Sequence, residues 1–190
     1  MNISFLRRCA LATALSMGIL GTAGATEYTA LDSKASSISF GYSQMNVKMD
    51  GSFGELKARN LSFDPAKPEA AQVAIDVALA SVDAGYPEAN TELKKDEWLA
   101  LAAHPLASFT STKVEALDDN RFRVTGDLTI KGATKQVTAP FTFRQDGDTG
   151  VFEGSFIFQR ADFGVGEGQW KDFSIVANDI QVSFQIVAKP

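Results

Sequence analysis

The sequence predicts an all-β fold, a meandering antiparallel barrel or sandwich of about eight or nine strands with one short helix. Three observations carry it. Apolar and polar residues alternate with period two over most of the chain, turn residues separate the runs, and no long helical pattern lies between them to build an α/β architecture.

In chain order, Ile38, Phe40 and Tyr42 alternate with Ser37, Ser39 and Gly41. Shorter candidates follow at Ser52–Leu56 and Leu61–Phe63, and then Val73, Ile75, Val77 and Leu79 form a longer run. From Ala84 to Pro105 the alternation stops. There Asn90 offers an N-cap, Glu92 sits in the first turn, and Leu93, Trp98 and Leu101 recur at loosely helical spacing, which predicts a short helix over 91–101. It ends before His104-Pro105, because a residue preceding proline avoids helical backbone. Ser108–Val114 is a further short strand. The run Phe122, Val124, Gly126, Leu128, Ile130 then turns through KGATK, a four- or five-residue loop with Gly132 at positive φ, into Val137, Ala139, Phe141 and Phe143. Pro140 has no N–H for a ladder, which places it at an edge or a bulge. Phe152, Gly154, Phe156 and Phe158, and finally Ile180, Val182, Phe184 and Ile186, complete the set.

Residues 1–25 read as a secretory signal peptide. Arg7 and Arg8 form a basic start, Ala10 to Leu20 is apolar but too short to span a bilayer, and Ala23-Gly24-Ala25 is a small-residue cleavage site. The expected mature chain, 26–190, is one domain exported to the periplasm. Losing the leader removes two of 18 basic residues and none of 23 acidic ones, so the net charge goes from −5 to about −7. That disfavours nucleic acid and anionic surfaces. Cys9, the one cysteine, lies in the leader. A mature chain of about 165 residues has core enough to fold without disulfides.

Catalytic and metal chemistry find little support. His104 is the only histidine, pressed against Pro105, and no HExxH, GxSxG, P-loop or GxGxxG pattern stands in the chain. Gly164-Val165-Gly166 begins a G-x-G but lacks the third glycine at the right spacing. The pairs Asp118-Asp119 and Asp146 with Asp148 fall in turns, where aspartate favours local backbone hydrogen bonds. No catalytic residue, metal site or cofactor is assigned.

Phenylalanine is abundant, 14 in all with only Phe5 in the leader. Most lie on the apolar faces of strands, where Gly126, Ala139 and Gly154 would leave room beside the rings. An eight-stranded barrel is just filled by its own side chains, or holds one small ligand when they leave space. Alternation alone leaves packed and hollow open. Arg160 and Asp162 flank a strand end before a glycine-rich segment, either as an Arg–Asp clasp or as polar groups meeting a ligand head at the mouth.

Several stretches together resemble the YceI-like family of periplasmic lipid- or polyisoprenoid-binding proteins. They are Ser37–Phe40, Gly51–Gly54, Leu61–Asp64, Leu93-Lys94-Lys95 with Trp98-Leu99, His104-Pro105 leading to Phe109–Thr112, and above all GDLTIKGATK (Gly126 to Lys135) and Arg160-Ala161-Asp162-Phe163-Gly164-Val165. The resemblance implies a lipocalin-like, extended antiparallel barrel whose apolar tunnel holds a long isoprenoid or fatty-acyl chain without covalent chemistry. Gly166 to Trp170 resembles a branch associated with cytochrome b-type membrane proteins, which brings in a quinone-like ligand and a membrane cytochrome-type partner. Pro87-Glu88-Ala89-Asn90 stands where many relatives carry an arginine–aspartate pair, so head-group preference does not carry over. On this reading Phe40, Phe122, Phe141, Phe156, Phe158 and Phe184 point inward, Trp98 is a lid on the helix, Trp170 lies near the opening, and Arg160 and Asp162 sit at the mouth. Two alternatives remain beside the carrier: a ligand-free accessory barrel for a membrane partner, and a carboxylate-based hydrolase or isomerase. Monomer and homodimer are both open.

Overall fold

Eleven antiparallel strands and one α-helix account for nearly all the regular structure of the computed structural model, which describes residues 26–118 and 120–190. The predicted leader lies outside the described residues, as does Asp119. The strands are β1 (Ala30–Leu31), β2 (Ser37–Gln44), β3 (Val47–Phe53), β4 (Leu56–Ser62), β5 (Gln72–Ala78), β6 (Val82–Asp83), β7 (Leu106–Ala116), β8 (Arg121–Ile130), β9 (Ala133–Asp146), β10 (Thr149–Gln159) and β11 (Asp179–Lys189), with α1 at Pro87–Leu93 between β6 and β7.

Their order in the sheet is β4-β5-β7-β8-β9-β10-β11-β2-β3-β6, with β1 added to β11. The two ends of that order are joined through the chain itself, because β3 and β4 are one strand bent at Gly54-Glu55 and β5 and β6 bend beside them. Hydrogen bonds run through the corner, from Gly54 N to Ser81 O (3.2 Å), Ala78 N to Glu55 O (3.0 Å) and Glu55 N to Ser81 Oγ (3.0 Å). One half of this ribbon pairs with β2 and the other with β7. Counting each bent strand once gives a barrel of eight staves, one of the two architectures and within the eight or nine strands that the alternation predicts, and β1 is an extra strap. Tyr28 and Phe63 exchange backbone hydrogen bonds of 2.9 and 3.1 Å, closing the gap that the bend opens beside β4.

The predicted Ser52–Leu56 strand is corrected by this corner. It straddles the bend, and the strands extend away from it on either side. The predicted helix is also displaced. Helix α1 starts at Pro87, whose fixed φ and missing N–H suit the first helical position. Asn90 is therefore inside the helix instead of capping it; its side chain accepts from Ala84 N (2.6 Å) and donates to Asp83 Oδ1 (3.3 Å), tying α1 to β6. Beyond Leu93 the chain continues in turns, with Ala100 at a φ of 49°. Trp98 accordingly sits in these turns and not on the helix.

The β8–β9 connection is a two-residue turn, Lys131-Gly132, tighter than the loop the sequence suggests. Both residues have positive φ, 50° and 77°, the geometry whose twist matches a hairpin. Pro140 lies where β9 has a partner on one side only, since pairing with β10 runs from Thr149↔Asp146 to Gly154↔Phe141 and stops. Before Phe141, β9 is a local edge, and an edge tolerates proline.

Candidate ligand-binding cavity

Inside the barrel, two apolar clusters sit at opposite ends. The closed end is a plug of Tyr28, Leu61, Phe63, Val114, Phe122, Val124, Ala139, Phe141, Phe143, Phe152 and Ala188. Phe63 stands at its centre, 1% exposed, with the rings of Phe122, Phe143 and Phe152 at 5.3, 5.3 and 4.9 Å and mostly edge-on. Such tilted and edge-to-face pairs add to the area buried. The other end is roofed by α1, the turns after it and the segment 160–177, with Leu79, Trp98, Leu99, Phe163, Val165 and Val176 at its core.

Between them lies a cavity of about 500 Å³. Phe40, Phe156, Phe158 and Phe184 line it, as do Phe141 at the edge of the plug and Trp98 and Trp170 under the roof. The four lining phenylalanines first named are only half-buried, although they face inward, because open space lies before them. Phe122 is different. It belongs to the plug, stacked on Phe141 at 5.4 Å, and is not part of the lining. Gly126 and Gly154 leave no room either: a Cβ on Gly154 would stand 2.5 Å from Pro140 O and 2.6 Å from the Phe184 ring, and one on Gly126 2.4 Å from Thr110 O. Neighbouring rings cover both glycines.

The polar residues of the mouth also differ from expectation. Arg160 is 1% exposed, and all five of its N–H groups donate to backbone carbonyls: Nε to Ala177 O (3.0 Å), Nη1 to Val165 O (2.8 Å) and Gly166 O (3.0 Å), Nη2 to Trp170 O (2.7 Å) and Val176 O (2.8 Å). A guanidinium has five such donors, so none is left for a ligand. Its Cζ also lies 5.5 Å from the Trp98 ring centre and 5.2 Å from that of Phe173. Burial lowers its pKa from the ordinary value. Asp162 takes no part in this and is exposed, beside a separate outer crevice. The Arg–Asp clasp does not form because Arg160–Phe163 is a 3₁₀ turn. Positions two apart on such a turn point away from each other.

The glycines after Arg160 fix the backbone. Gly166 has a φ of 80°, and a Cβ there would come within 2.0 Å of Arg160 Nη1. Lys131, from the β8–β9 turn, donates to Gly164 O (2.7 Å) and Glu167 Oε2 (2.9 Å). Glu97 O accepts from both Gly166 N and Glu167 N at 2.8 Å. The stretches GDLTIKGATK and RADFGV are thus bound together beside Trp98, and their specificity is that of a structural joint.

At the rim, Tyr86 OH donates to Gln44 Oε1 (3.1 Å) and Tyr42 OH to Ala84 O (3.4 Å). Burial, with Tyr86 adding to it, pushes the Tyr42 phenol up to about 12. Glu88 and Glu92 also border the cavity, and Glu92 Oε1 accepts from Trp170 Nε1 (3.2 Å). Among the described residues no three His, Cys, Asp or Glu side chains converge as a metal site would require.

The sequence pattern of the YceI-like domain matches residues 29–188. The chain belongs to the YceI-like family. Among solved structures, this YceI-like barrel is similar to BcnA of Burkholderia cenocepacia, 37% identical, with a TM-score of 0.80 over 84% of this chain and 99% of that one. It shares its fold, at 16% identity and a TM-score of 0.67 over 86% of this chain and 99% of the other, with a polyisoprenoid-binding domain from Saccharophagus degradans implicated in plant cell wall breakdown. A relative in Azotobacter vinelandii, called UPF0312 protein, is 35% identical over 122 residues, 61% of this chain and 59% of that protein's length.

The sequence missed the most consequential feature of the site, the commitment of Arg160 to carbonyls. No sequence signal marks it, because the groups that close on Arg160 are main-chain carbonyls.

Proposed function

We propose that this protein holds one long apolar molecule, an isoprenoid or fatty-acyl chain, in its barrel and carries or sequesters it in the periplasm without covalent chemistry. The observation that supports this best is the cavity of about 500 Å³ ringed by half-buried phenylalanines, sealed by a packed plug at one end. Family membership and the polyisoprenoid-binding domain of like fold agree with it. A chain that buries ~400 Å² of apolar surface gains on the order of 10 kcal/mol before the costs of ordering. The exposed side chains Met45, Val47 and Phe173 stand by the segments that border the mouth and suit exchange with a membrane-bound partner, which the resemblance of Gly166 to Trp170 would make one of the cytochrome type.

Protein purified from its own host without denaturation, extracted with organic solvent and analysed by mass spectrometry, is expected to yield a stoichiometric prenyl or acyl species. An empty extract, together with failure of the protein to take up added polyprenol or ubiquinone, refutes the reading. Fractionation of the host with N-terminal sequencing tests export, with Thr26 as the expected first residue.

A further inference from the structure

Strands β9 and β10 part halfway along. Their pairs run from Thr149↔Asp146 to Gly154↔Phe141 and end, yet both strands continue toward the roof, β9 alongside β8 as far as Ala133 and β10 alongside β11 as far as Gln159. Pro140 stands one step beyond the last pair and has no N–H to carry the ladder on. From there the wall is a seam, two strand edges that face each other with no ladder between them. Toward the roof it ends at Phe163, 2% exposed, whose ring meets Phe158 edge-on at 5.2 Å.

The seam has the main cavity on one side and the outer crevice on the other. Val137, Ala139, Phe156 and Phe158 line the cavity from within. Val137 and Phe158 line the crevice as well, together with Thr138 and Ile157. Extended in the same register, the ladder would set Val137 opposite Phe158 and Thr138 opposite Ile157. What divides inside from outside here is therefore a pair of half-buried side chains, where elsewhere it is a hydrogen-bonded sheet. Ile157 is 63% exposed and stands among the exposed polar residues Gln136, Thr138 and Gln159. It makes an apolar step from the surface to Phe158 and the rings within.

The cost of opening favours this place. Lifting the roof breaks the bonds of Arg160 and Lys131 to main-chain carbonyls and that of Tyr86 to Gln44. Parting two paired strands breaks a ladder, and each bond lost costs stability. Parting β9 from β10 along the seam breaks no ladder bond, and its edge groups are ones that water meets already. Local opening follows the least costly route.

We propose that the seam is a side portal, through which the apolar chain of the ligand enters and leaves the cavity between β9 and β10, with Val137 and Phe158 as its gate. The inference rests on the carrier reading above and adds the path that the cargo takes.

The test uses the mature chain, 26–190, freed of lipid, with cis-parinaric acid as a fluorescent acyl probe followed by stopped flow. Cys9 is the one cysteine of the chain and lies in the predicted leader, so introduced thiols react alone. Thr138→Cys with Ile157→Cys, joined by a short bismaleimide, staples the seam from outside, and neither residue lines the cavity. Thr125→Cys with Thr138→Cys, whose native hydroxyls are 3.1 Å apart on the β8–β9 ladder, is the control staple across a wall already closed. The seam staple is expected to slow uptake and release alike, about 10-fold or more, with equilibrium affinity within about 2-fold. The control staple is expected to leave both rates as in wild type. Val137→Ala trims the gate and is expected to speed uptake and release about 2- to 5-fold; loss of a wall contact alone would speed release and leave uptake unchanged. Unchanged rates in the seam-stapled protein, equal slowing by the two staples, or uptake no faster in Val137→Ala overturns the portal while leaving the container intact. Failure of unstapled wild-type protein to bind the probe overturns the container itself.

Discussion

At the closed end of the barrel Phe63 is enclosed by the rings of Phe122, Phe141, Phe143 and Phe152, whereas toward the mouth Phe40, Phe156, Phe158 and Phe184 stand half-buried around open space. Both sets come from alternating strands of the same composition. The difference lies in what crosses the end of the barrel. Tyr28 and Phe63, joined by their backbone bridge just outside the long strands, push two further rings into the plug. At the mouth the crossing segments are held by their backbones, through Arg160 and Lys131, and stay above the cavity. Whether a barrel is full or hollow is therefore decided by its closing segments more than by the pattern of its walls.

The largest expected effect tests the roof. Arg160→Met strips five carbonyls, three of them in buried hydrogen bonds, of their donor and is expected to cost about 5 kcal/mol in urea unfolding. A loss under ~2 kcal/mol would mean that water replaces the guanidinium freely. Next comes the contrast between the ends. Phe63→Ala should cost about 4 kcal/mol, within the usual range for a buried ring, and Phe184→Ala about half as much, with the greater loss in ligand affinity. Equal costs would show the mouth to be packed like the plug. At the boundary between the two, Ala139→Leu is expected to cost about 1–3 kcal/mol by overpacking and to shorten the chain length that the cavity accepts. Measuring affinity across a series of prenyl lengths checks this, and an unchanged cut-off places Ala139 outside the ligand's path. Gly154→Leu, attractive from sequence, is instead expected to damage the wall itself because of Pro140 O.

The smallest effect is in alkaline solution. The Tyr42 phenol titrates in the folded state near 12, above its ordinary value of 10. The native state therefore keeps a proton that the unfolded state gives up. The stability this contributes is complete below pH 10 and is lost as pH rises from 10 toward 12. Denaturation midpoints followed across that interval are expected to fall less steeply in Tyr42→Phe; identical slopes would place the phenol in contact with solvent.

The walls were legible in the sequence because a two-residue period follows from strand geometry alone. The runs at Phe122–Ile130 and Phe152–Phe158 fall within β8 and β10. The corner at Gly54-Glu55 was not, since Val47-Lys48-Met49-Asp50 alternates weakly and its pairing partners are distant in sequence. Helix α1 was misplaced because two start signals compete there, an Asn cap at position 90 and a proline at 87, and the proline, with its preset φ, won. Most of the inward aromatics could be named from alternation. That Phe122 fills the plug while Phe184 faces the cavity depends on Tyr28 and Phe63, which lie outside the long strands, and no local pattern carries such information. The role of Arg160 was hidden for the same reason, as its partners are main-chain atoms that leave no trace in residue identity.

That last feature has an evolutionary side. A cation gripping carbonyl oxygens is indifferent to most side chains along the segment it holds, Gly166 and the Phe173 ring beside it apart. Exposed positions such as Gln169 and Lys171 are then free to vary while the roof keeps its shape. The entrance of this barrel can drift, or be redesigned toward a different cargo, one residue at a time, with no compensating change in the scaffold that supports it.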